Sequence, residues 1–455
     1  MRYNSIQLVS VSQNSGICYW SKCIPPLGLI ALASTIKEAF PRASVEIFDG
    51  QILTSEQISS KINADIIGLS VMQANYEASL EIAKLSKAKG IAVVMGGHYA
   101  TPLFETILRN RDYVDFVIIG DGCEAIVKLM KGDKLENIEN LVYKEKGQIK
   151  SINKKSDRHF LPKIYSANSF VDFNYGLVDI KKYSANFMAR FPDMEFPFPL
   201  LTHRGCKWRE ESGCIFCSIF GAQRSQRQPK KVWKQIDKLM KYYGASFFWD
   251  IGDSFTGDID WVRKFLNARP ASLSHIKFYI YARPDELLKP GMMELLRKLN
   301  VEMIYVGFES GNQIILNNMN KGTAPKDYER LIKLIQNENI KLCSSIVLGA
   351  PSESERSVEK TIKMCNKMKR SLGEKLKLLN ANILVPYPGS KAFNMLLEKC
   401  PYYSGQDMIN QNEIIKDWLR YFGKFDQPTE RVYSYLHDAC KQLNELGEWR
   451  NAIHE

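Results

Sequence analysis

Two series of short apolar segments, each alternating with amphipathic ones, constrain this chain more than any other feature. In the first series, residues 6–11, 45–48, 66–72, 91–95 and 116–119 are rich in Ile and Val and predominantly apolar. Near-continuous apolar runs belong to strands buried on both faces, hence to a parallel sheet covered by helices. Helical patterns fall between them at about 27–40, 55–63, 75–89, 102–109 and 123–131. Five β-α units predict a doubly wound, Rossmann-like domain over residues 1–140, with its ligand crevice at the carboxyl ends of the strands.

The second series predicts strands at 198–202, 246–251, 276–281, 303–308, 343–348 and 380–385, again with amphipathic segments between. Six such units make a partial (β/α)6 TIM-type barrel over residues 198–400, whose site lies on the loops that follow the strands. Between the two series, residues 141–197 read as a connector. It holds a small hairpin at 143–150, a polar basic stretch at 151–163, and alternating Phe and Pro up to Pro199. Residues 401–455 are helical and aromatic-rich and are expected to cap the barrel. The whole is an α/β protein.

At 455 residues, 45% hydrophobic and 25% charged, the chain can bury two or three cores. No run approaches the roughly 18 continuous apolar residues of a membrane span, and the start, Met-Arg-Tyr-Asn-Ser-Ile-Gln, opens on a strand pattern rather than an export signal. A cytoplasmic location is expected. The net charge of +12 raises the question of nucleic acid. Lysines spread over many helices with Asp and Glu between them read instead as solvated faces, and an acidic substrate or protein partner also fits.

Ten cysteines are too sparse for a disulfide scaffold, and Cys18, Cys23, Cys123, Cys343, Cys365, Cys400 and Cys440 show no metal-ligand rhythm. The other three share one loop, His203-Arg-Gly-Cys-Lys-Trp-Arg-Glu-Glu-Ser-Gly-Cys-Ile-Phe-Cys217. Three thiolates can hold a metal centre and leave one coordination position open. Zinc with His203 as a fourth ligand is one reading; an iron–sulfur cubane with an open iron is the other. In the first domain, glycine turns follow the strand ends: Gly68-Leu-Ser-Val-Met-Gln-Ala-Asn75, Gly96-Gly-His-Tyr-Ala-Thr101 and Gly120-Asp-Gly-Cys-Glu124. Such turns let a large ligand approach the backbone, although a response-regulator-like domain also carries them.

The cysteine loop after a first barrel strand, with an aromatic at Phe216, resembles the radical S-adenosylmethionine superfamily. The doubly wound domain ahead of it resembles the cobalamin-dependent branch, and the likeness runs over about residues 5–400. Pro25-Pro-Leu-Gly-Leu-Ile-Ala-Leu32 is similar to the opening helix of the branch's cobalamin domain. Gly307-Phe-Glu-Ser-Gly311 with Met319-Asn-Lys-Gly322 resembles its fourth-strand motif; Gly349-Ala-Pro-Ser-Glu353 and Val385-Pro-Tyr-Pro-Gly-Ser390 resemble the loops after strands five and six.

The resemblance implies a [4Fe-4S] cluster on Cys206, Cys214 and Cys217. It implies S-adenosylmethionine contacts at Phe216, which would flank the adenine, at Asp250 and Asp253, and at Glu309 and Ser310 near the ribose and methionyl part. It implies cobalamin contacts at Pro26, Leu27, Ser70, Met72, Gly96, Gly97, His98, Gly120, Asp121 and Glu124. Two departures stand out. Seven residues, 207–213, separate the first two cysteines where the family commonly has three, a spacing similar to that of the branch that modifies ribosomally made peptides. Residues 12–28 contain no histidine, so the signature for a histidine below cobalt is absent, and His98 reads as a turn residue rather than a cobalt ligand.

The implied chemistry is one-electron cleavage of S-adenosylmethionine to methionine and a 5′-deoxyadenosyl radical, hydrogen abstraction from an unactivated carbon, and methylation from methylcobalamin. The expected enzyme is a class B methyltransferase acting on a peptide or natural product and served by a flavodoxin- or ferredoxin-type electron donor. Radical cyclisation, ring contraction or oxidation of a small molecule is the alternative, and a cobalamin-binding sensor or carrier whose loop holds zinc is a third reading. Methylthiolation of tRNA suits the charge, but the first domain lacks a second three-cysteine cluster and the C-terminus does not read as a small β-barrel RNA module.

Overall fold

The computed structural model describes residues 1–12, 23–156, 159–160, 164, 166–219 and 224–449. Residues 13–22, with Cys18 and most of the histidine-free first loop, lie outside the described residues, as do 450–455 at the end of the C-terminal region. The chain forms two units. One consists chiefly of Met1–Met194 and Tyr402–Ile409, the other chiefly of Glu195–Cys217 and residues 224–401 and 410–449.

In the first unit, β1 (Ser5–Ser10), β2 (Ser44–Asp49), β3 (Ile66–Ser70), β4 (Ala92–Gly96) and β5 (Phe116–Ile118) are parallel, in the order β2-β1-β3-β4-β5. Neighbouring residues feed opposite cores. Ile67, Val93 and Val117 join the cluster on one face, Ile66, Val94, Phe116 and Ile118 the cluster on the other. Burial on both faces is why these strands read as predominantly apolar runs. Edge strand β2 departs from the pattern, with Ser44 and Glu46 exposed.

The hairpin expected inside a connector belongs to this sheet. Strand β6 (Leu141–Glu145) pairs antiparallel with β5, and β7 (Gln148–Lys150) pairs with β6, so the sheet has seven strands and is mixed. Its outer residues Lys144 and Glu145 face solvent, which is why the apolar rhythm fades there although the sheet continues. The helix Ile180–Arg190, also from the expected connector, packs on the same unit, where Tyr183 donates a 2.7 Å hydrogen bond to the buried carboxylate of Asp49.

The second unit holds six parallel strands in sequential order: β8 (Phe198–Leu200), β9 (Phe247–Asp250), β10 (Lys277–Ala282), β11 (Val301–Glu309), β12 (Lys341–Leu348) and β13 (Leu376–Ile383). On one face Phe248 and Phe278 pack with the helix residues Trp233 and Phe265. On the other, Trp249, Tyr279, Tyr281 and Tyr305 form a continuous row of ring contacts.

An open sheet leaves edge strands with unpaired backbone groups. The helix Thr429–Asn444 covers β13, its Asn444 side chain bonding the N–H of Ala381 at 2.6 Å and its carbonyl at 3.3 Å. Glu448 and Trp449 donate their N–H groups to Leu376 and Lys377. Residues 402–409 do not share this capping role. Within the first unit, the Asp407 carboxylate accepts from Tyr76 and Arg111, each at 2.6 Å, and from Asn110 at 3.2 Å.

Candidate active site

The cysteine loop leaves β8 through a buried polar knot. Asp250, at the end of β9 and wholly buried, accepts from the Thr202 N–H at 2.9 Å and the Thr202 hydroxyl at 2.6 Å. His203 Nδ1 lies 2.8 Å from that hydroxyl and 3.3 Å from Asp250, while Nε2 accepts the N–H of Ser254 at 2.8 Å. A backbone N–H can only donate, so Nε2 carries no proton and Nδ1 holds it toward Asp250. Both ring nitrogens are thereby engaged. His203 is withdrawn from metal ligation, which corrects the zinc reading in which it would supply the fourth ligand. Asp253 accepts the N–H of Gly205 at 2.7 Å. Asp250, wholly buried, and Asp253, exposed, thus both hold the backbone that leads into Cys206.

Cys206 precedes a short helix, Lys207–Glu211, which fills most of the seven-residue spacer. Gly213, at φ +77°, ends it, and the Cys217 N–H turns back to the Cys214 carbonyl at 3.3 Å. Cys214 is buried; Cys206 and Cys217 are half-buried. Burial pushes the Cys206 thiol up, so its thiolate needs a cationic centre beside it. Among the described residues no three His, Cys, Asp or Glu side chains converge on a point that would hold a single ion. A cubane does not ask for that, because each thiolate binds a different iron. A donor set of three sulfurs with the nearby histidine withdrawn fits an iron–sulfur cluster with one open iron.

Glu309 ends β11 at φ +62°, an uncommon conformation for a non-glycine residue, beside a register shift between Gly307 and Glu309. The shift re-aims the carboxylate, which accepts from Lys321 Nζ at 2.8 Å and from the Ser345 hydroxyl at 3.1 Å. Glycine at 307 leaves room for this pair: a Cβ there would stand 2.2 Å from Glu309 Oε1, so the carboxylate would have to move. Burial works against the Lys321 charge, but the Glu309 carboxylate and the nearby Cys214 together hold the ammonium above its ordinary value. Ser310 is fully buried, 3.2 Å from the Thr361 hydroxyl, and accepts the Asn312 N–H. Phe216 is half-buried beside Cys217.

Sequence reasoning missed the residues that tie these pieces together. The carbonyls of Met319, Asn320 and Lys321 accept in turn from the Ile215 N–H at 3.0 Å, the Trp208 indole at 2.7 Å and the Arg283 guanidinium at 2.7 Å. All three acceptors stand within the Met319-Asn-Lys-Gly322 motif, and Arg283 heads the loop after β10, where the strand-end rule points.

In the first unit the expected turns gather at the ends of β3, β4 and β5. Gly97 has φ +101°, and a Cβ there would meet the backbone O and N of Val71 at 2.8 and 2.9 Å. Gly96 accepts the Val71 N–H at 2.8 Å. Asn75 closes the Gly68–Asn75 turn and opens the helix after it. Its buried amide joins the segments that leave β1 and β3, taking the Met72 N–H at 2.8 Å and donating to Ser70 and Val11. Gly120, at φ +67°, donates to Thr101, and the Asp121 carbonyl accepts from Asn140.

The other expected contacts divide by exposure. Ser70 and Pro26 are half-buried, Leu27 and Asp121 buried, and His98 exposed; Met72 is 41% exposed, an apolar side chain in the open at a strand end. Glu124 is exposed in the first turn of the helix that follows Gly120–Gly122, 3.7 Å from Lys128 one turn along. In the helix that Pro26 caps, Gly28 is exposed with nothing within 4 Å of a Cβ. Packing among the described residues does not demand glycine there.

Known proteins share this arrangement. The model of the radical SAM superfamily matches residues 200–365, and that of the B12 binding domain residues 21–130. An uncharacterized methyltransferase of Pyrococcus horikoshii is 26% identical over 93% of this chain and 86% of its own length. An anaerobic magnesium-protoporphyrin IX monomethyl ester cyclase of Cereibacter sphaeroides is 24% identical over 67% of this chain, which spans about half (48%) of the cyclase. The radical S-adenosylmethionine methyltransferase TsrM of Kitasatospora setae, solved with cobalamin and a [4Fe-4S] cluster, shares the fold with a TM-score of 0.66 at 16% identity, over 87% of this chain and 75% of TsrM. The cofactors that go with the two domains are a [4Fe-4S] cluster, S-adenosylmethionine and cobalamin. With both models matched in succession, the chain carries a B12 binding domain followed by a radical SAM domain, the pairing it was expected to share with cobalamin-dependent radical SAM enzymes.

Proposed function

We propose that the protein is a class B methyltransferase that places a methyl group on an unactivated carbon of a peptide or natural product. The observation that carries this reading is the all-sulfur, three-ligand loop, whose neighbouring histidine is locked away, in one chain with a B12 binding domain. When bound, the cluster and cobalamin together supply reductive cleavage of S-adenosylmethionine and a transferable methyl group. Cys206, Cys214 and Cys217 hold the cluster. Asp250 and Asp253 keep the loop in place through Thr202 and Gly205. Phe216 flanks the adenine, while Glu309 and Ser310 line the ribose and methionyl side. Ser70, Met72, Gly96, Gly97, Gly120 and Asp121, with Pro26 and Leu27, form the cobalamin cradle; Glu124 has the least claim, being turned to Lys128.

A flavodoxin- or ferredoxin-type donor supplies the electron, and the cytoplasm suits the enzyme, since none of the nine described cysteines is in a disulfide and no described helix is long and apolar enough to cross a membrane. Similarity to the cyclase supports the second reading, radical cyclisation or oxidation without net methyl transfer. Anaerobically reconstituted protein, given S-adenosylmethionine with a labelled methyl group and candidate peptides, should yield product heavier by one CH2 unit and carrying the label. Turnover to 5′-deoxyadenosine and labelled methionine with an unlabelled, hydrogen-depleted product would favour cyclisation.

A further inference from the structure

We propose that Trp208 is the positioning residue that makes a seven-residue spacer serve a cluster: it fixes Cys206 relative to Cys214 and Cys217. The inference rests on the iron–sulfur reading of the loop. A loop of this length closes at little entropic cost, but closure alone does not hold three sulfurs in register. The five-residue helix in the spacer is too short to be stable by itself. Something must anchor it.

Trp208 is built into a slot. Its indole N–H donates to the Asn320 carbonyl at 2.7 Å, and the Arg283 guanidinium lies 5.3 Å from the ring centroid. The ring also closes on Gly322, at φ +71°, so tightly that a Cβ there would come within 2.6 Å of it. The Trp208 carbonyl accepts both the Ser212 N–H at 2.9 Å and the Gly213 N–H at 2.7 Å, which ends the spacer immediately before Cys214. The second half of the loop docks on the same segment, through Ile215 N–H to the Met319 carbonyl at 3.0 Å. Both halves are therefore indexed to one rail, residues 319–322, the Cys206 side by the indole and the Cys214 side by the backbone.

The test compares anaerobically reconstituted wild type, Trp208→Ala and Trp208→Phe. Iron and sulfide per chain are measured after challenge with a chelator, together with the electron paramagnetic resonance spectrum of the reduced cluster, far-ultraviolet circular dichroism and cobalamin retention. Trp208→Ala should retain iron about tenfold less well, the lower end of what residues behind metal ligands contribute, with folding and cobalamin unchanged. Trp208→Phe keeps a ring against Gly322 and under Arg283 and should restore most of the iron and the wild-type spectrum. Wild-type iron content and spectrum in Trp208→Ala overturn the proposal, as does a folded Trp208→Phe that loses as much iron as the alanine variant. Should Trp208→Ala not fold, the phenylalanine variant decides alone. Wild type that takes up no iron at all instead refutes the iron–sulfur reading beneath it.

Discussion

Lys321 Nζ and Glu309 Oε1 stand 2.8 Å apart, with the two side chains 8% and 5% exposed. Gly307 makes room for both, since its missing Cβ would fall 2.8 Å from the ammonium and closer still to the carboxylate. A buried pair is costly to break because the survivor keeps its charge without a partner. Lys321→Met and Glu309→Gln should each lower stability by about 3–5 kcal/mol, and the double variant should recover much of the loss. Thermal unfolding of the four cofactor-free proteins completes the cycle. Additive losses would show that the pair is not coupled.

The knot at the base of the cysteine loop predicts a different signature. Asp250→Asn replaces a carboxylate that accepts two Thr202 bonds, so about 1.5–3 kcal/mol should be lost for each charge-assisted bond weakened. Because the loop hangs from Thr202, iron retention should fall with it. His203→Gln should leave the metal identity of the loop unchanged, since His203 Nε2 is committed to Ser254. Metal analysis of both variants checks this; appearance or loss of stoichiometric zinc in His203→Gln would contradict the assignment.

What could be read from the sequence is what local pattern writes. Eleven strands announced themselves because both their faces are buried, or because they recur at the spacing of β-α units. Strand β6 was misplaced because its outer end faces water and its partner runs antiparallel. The thiolate trio was legible from spacing alone. Its supports were not: His203 meets Ser254 across 51 residues and Trp208 meets Asn320 across 112; nor, in the first unit, was the bond of Tyr76 to Asp407 across 331. Pairings at such separations depend on which loops the sheet brings together, and no periodicity records them.

Two glycines of the first unit separate a ligand's needs from the protein's own. Gly97→Ala forces a side chain into φ +101° and into the backbone of Val71, so it should destabilise the unit by about 1–3 kcal/mol and weaken cobalamin retention together. Gly28→Leu meets no packing among the described residues and replaces a poor helix former with a good one, so melting should be unchanged or raised, by up to about 1 kcal/mol. If a corrin occupies the space beside it, Gly28→Leu should still lose cobalamin on gel filtration. A Gly28→Leu protein that retains cobalamin as wild type does would place the ligand elsewhere.

Glu353, in the Gly349-Ala-Pro-Ser-Glu353 loop after β12, gives a pH dependence of defined sign. It is fully buried; Ser357 donates to Oε1, while Oε2 has no hydrogen-bond partner among the described residues. Burial pushes its carboxyl from the ordinary 4.5 up to about 7, the Ser357 bond offsetting part of the effect. The unfolded chain releases this proton first, so between about pH 4.5 and 7 the folded state binds more protons and stability falls as pH rises. The contribution is complete below pH 4.5 and gone above 7; at about 1.4 kcal/mol per pH unit it amounts to about 3 kcal/mol. Glu353→Gln carries no ionisable group. Its melting temperature should match that of wild type near pH 5 and exceed it increasingly up to pH 8, whereas a constant difference across that range would mean that Glu353 does not titrate in this window.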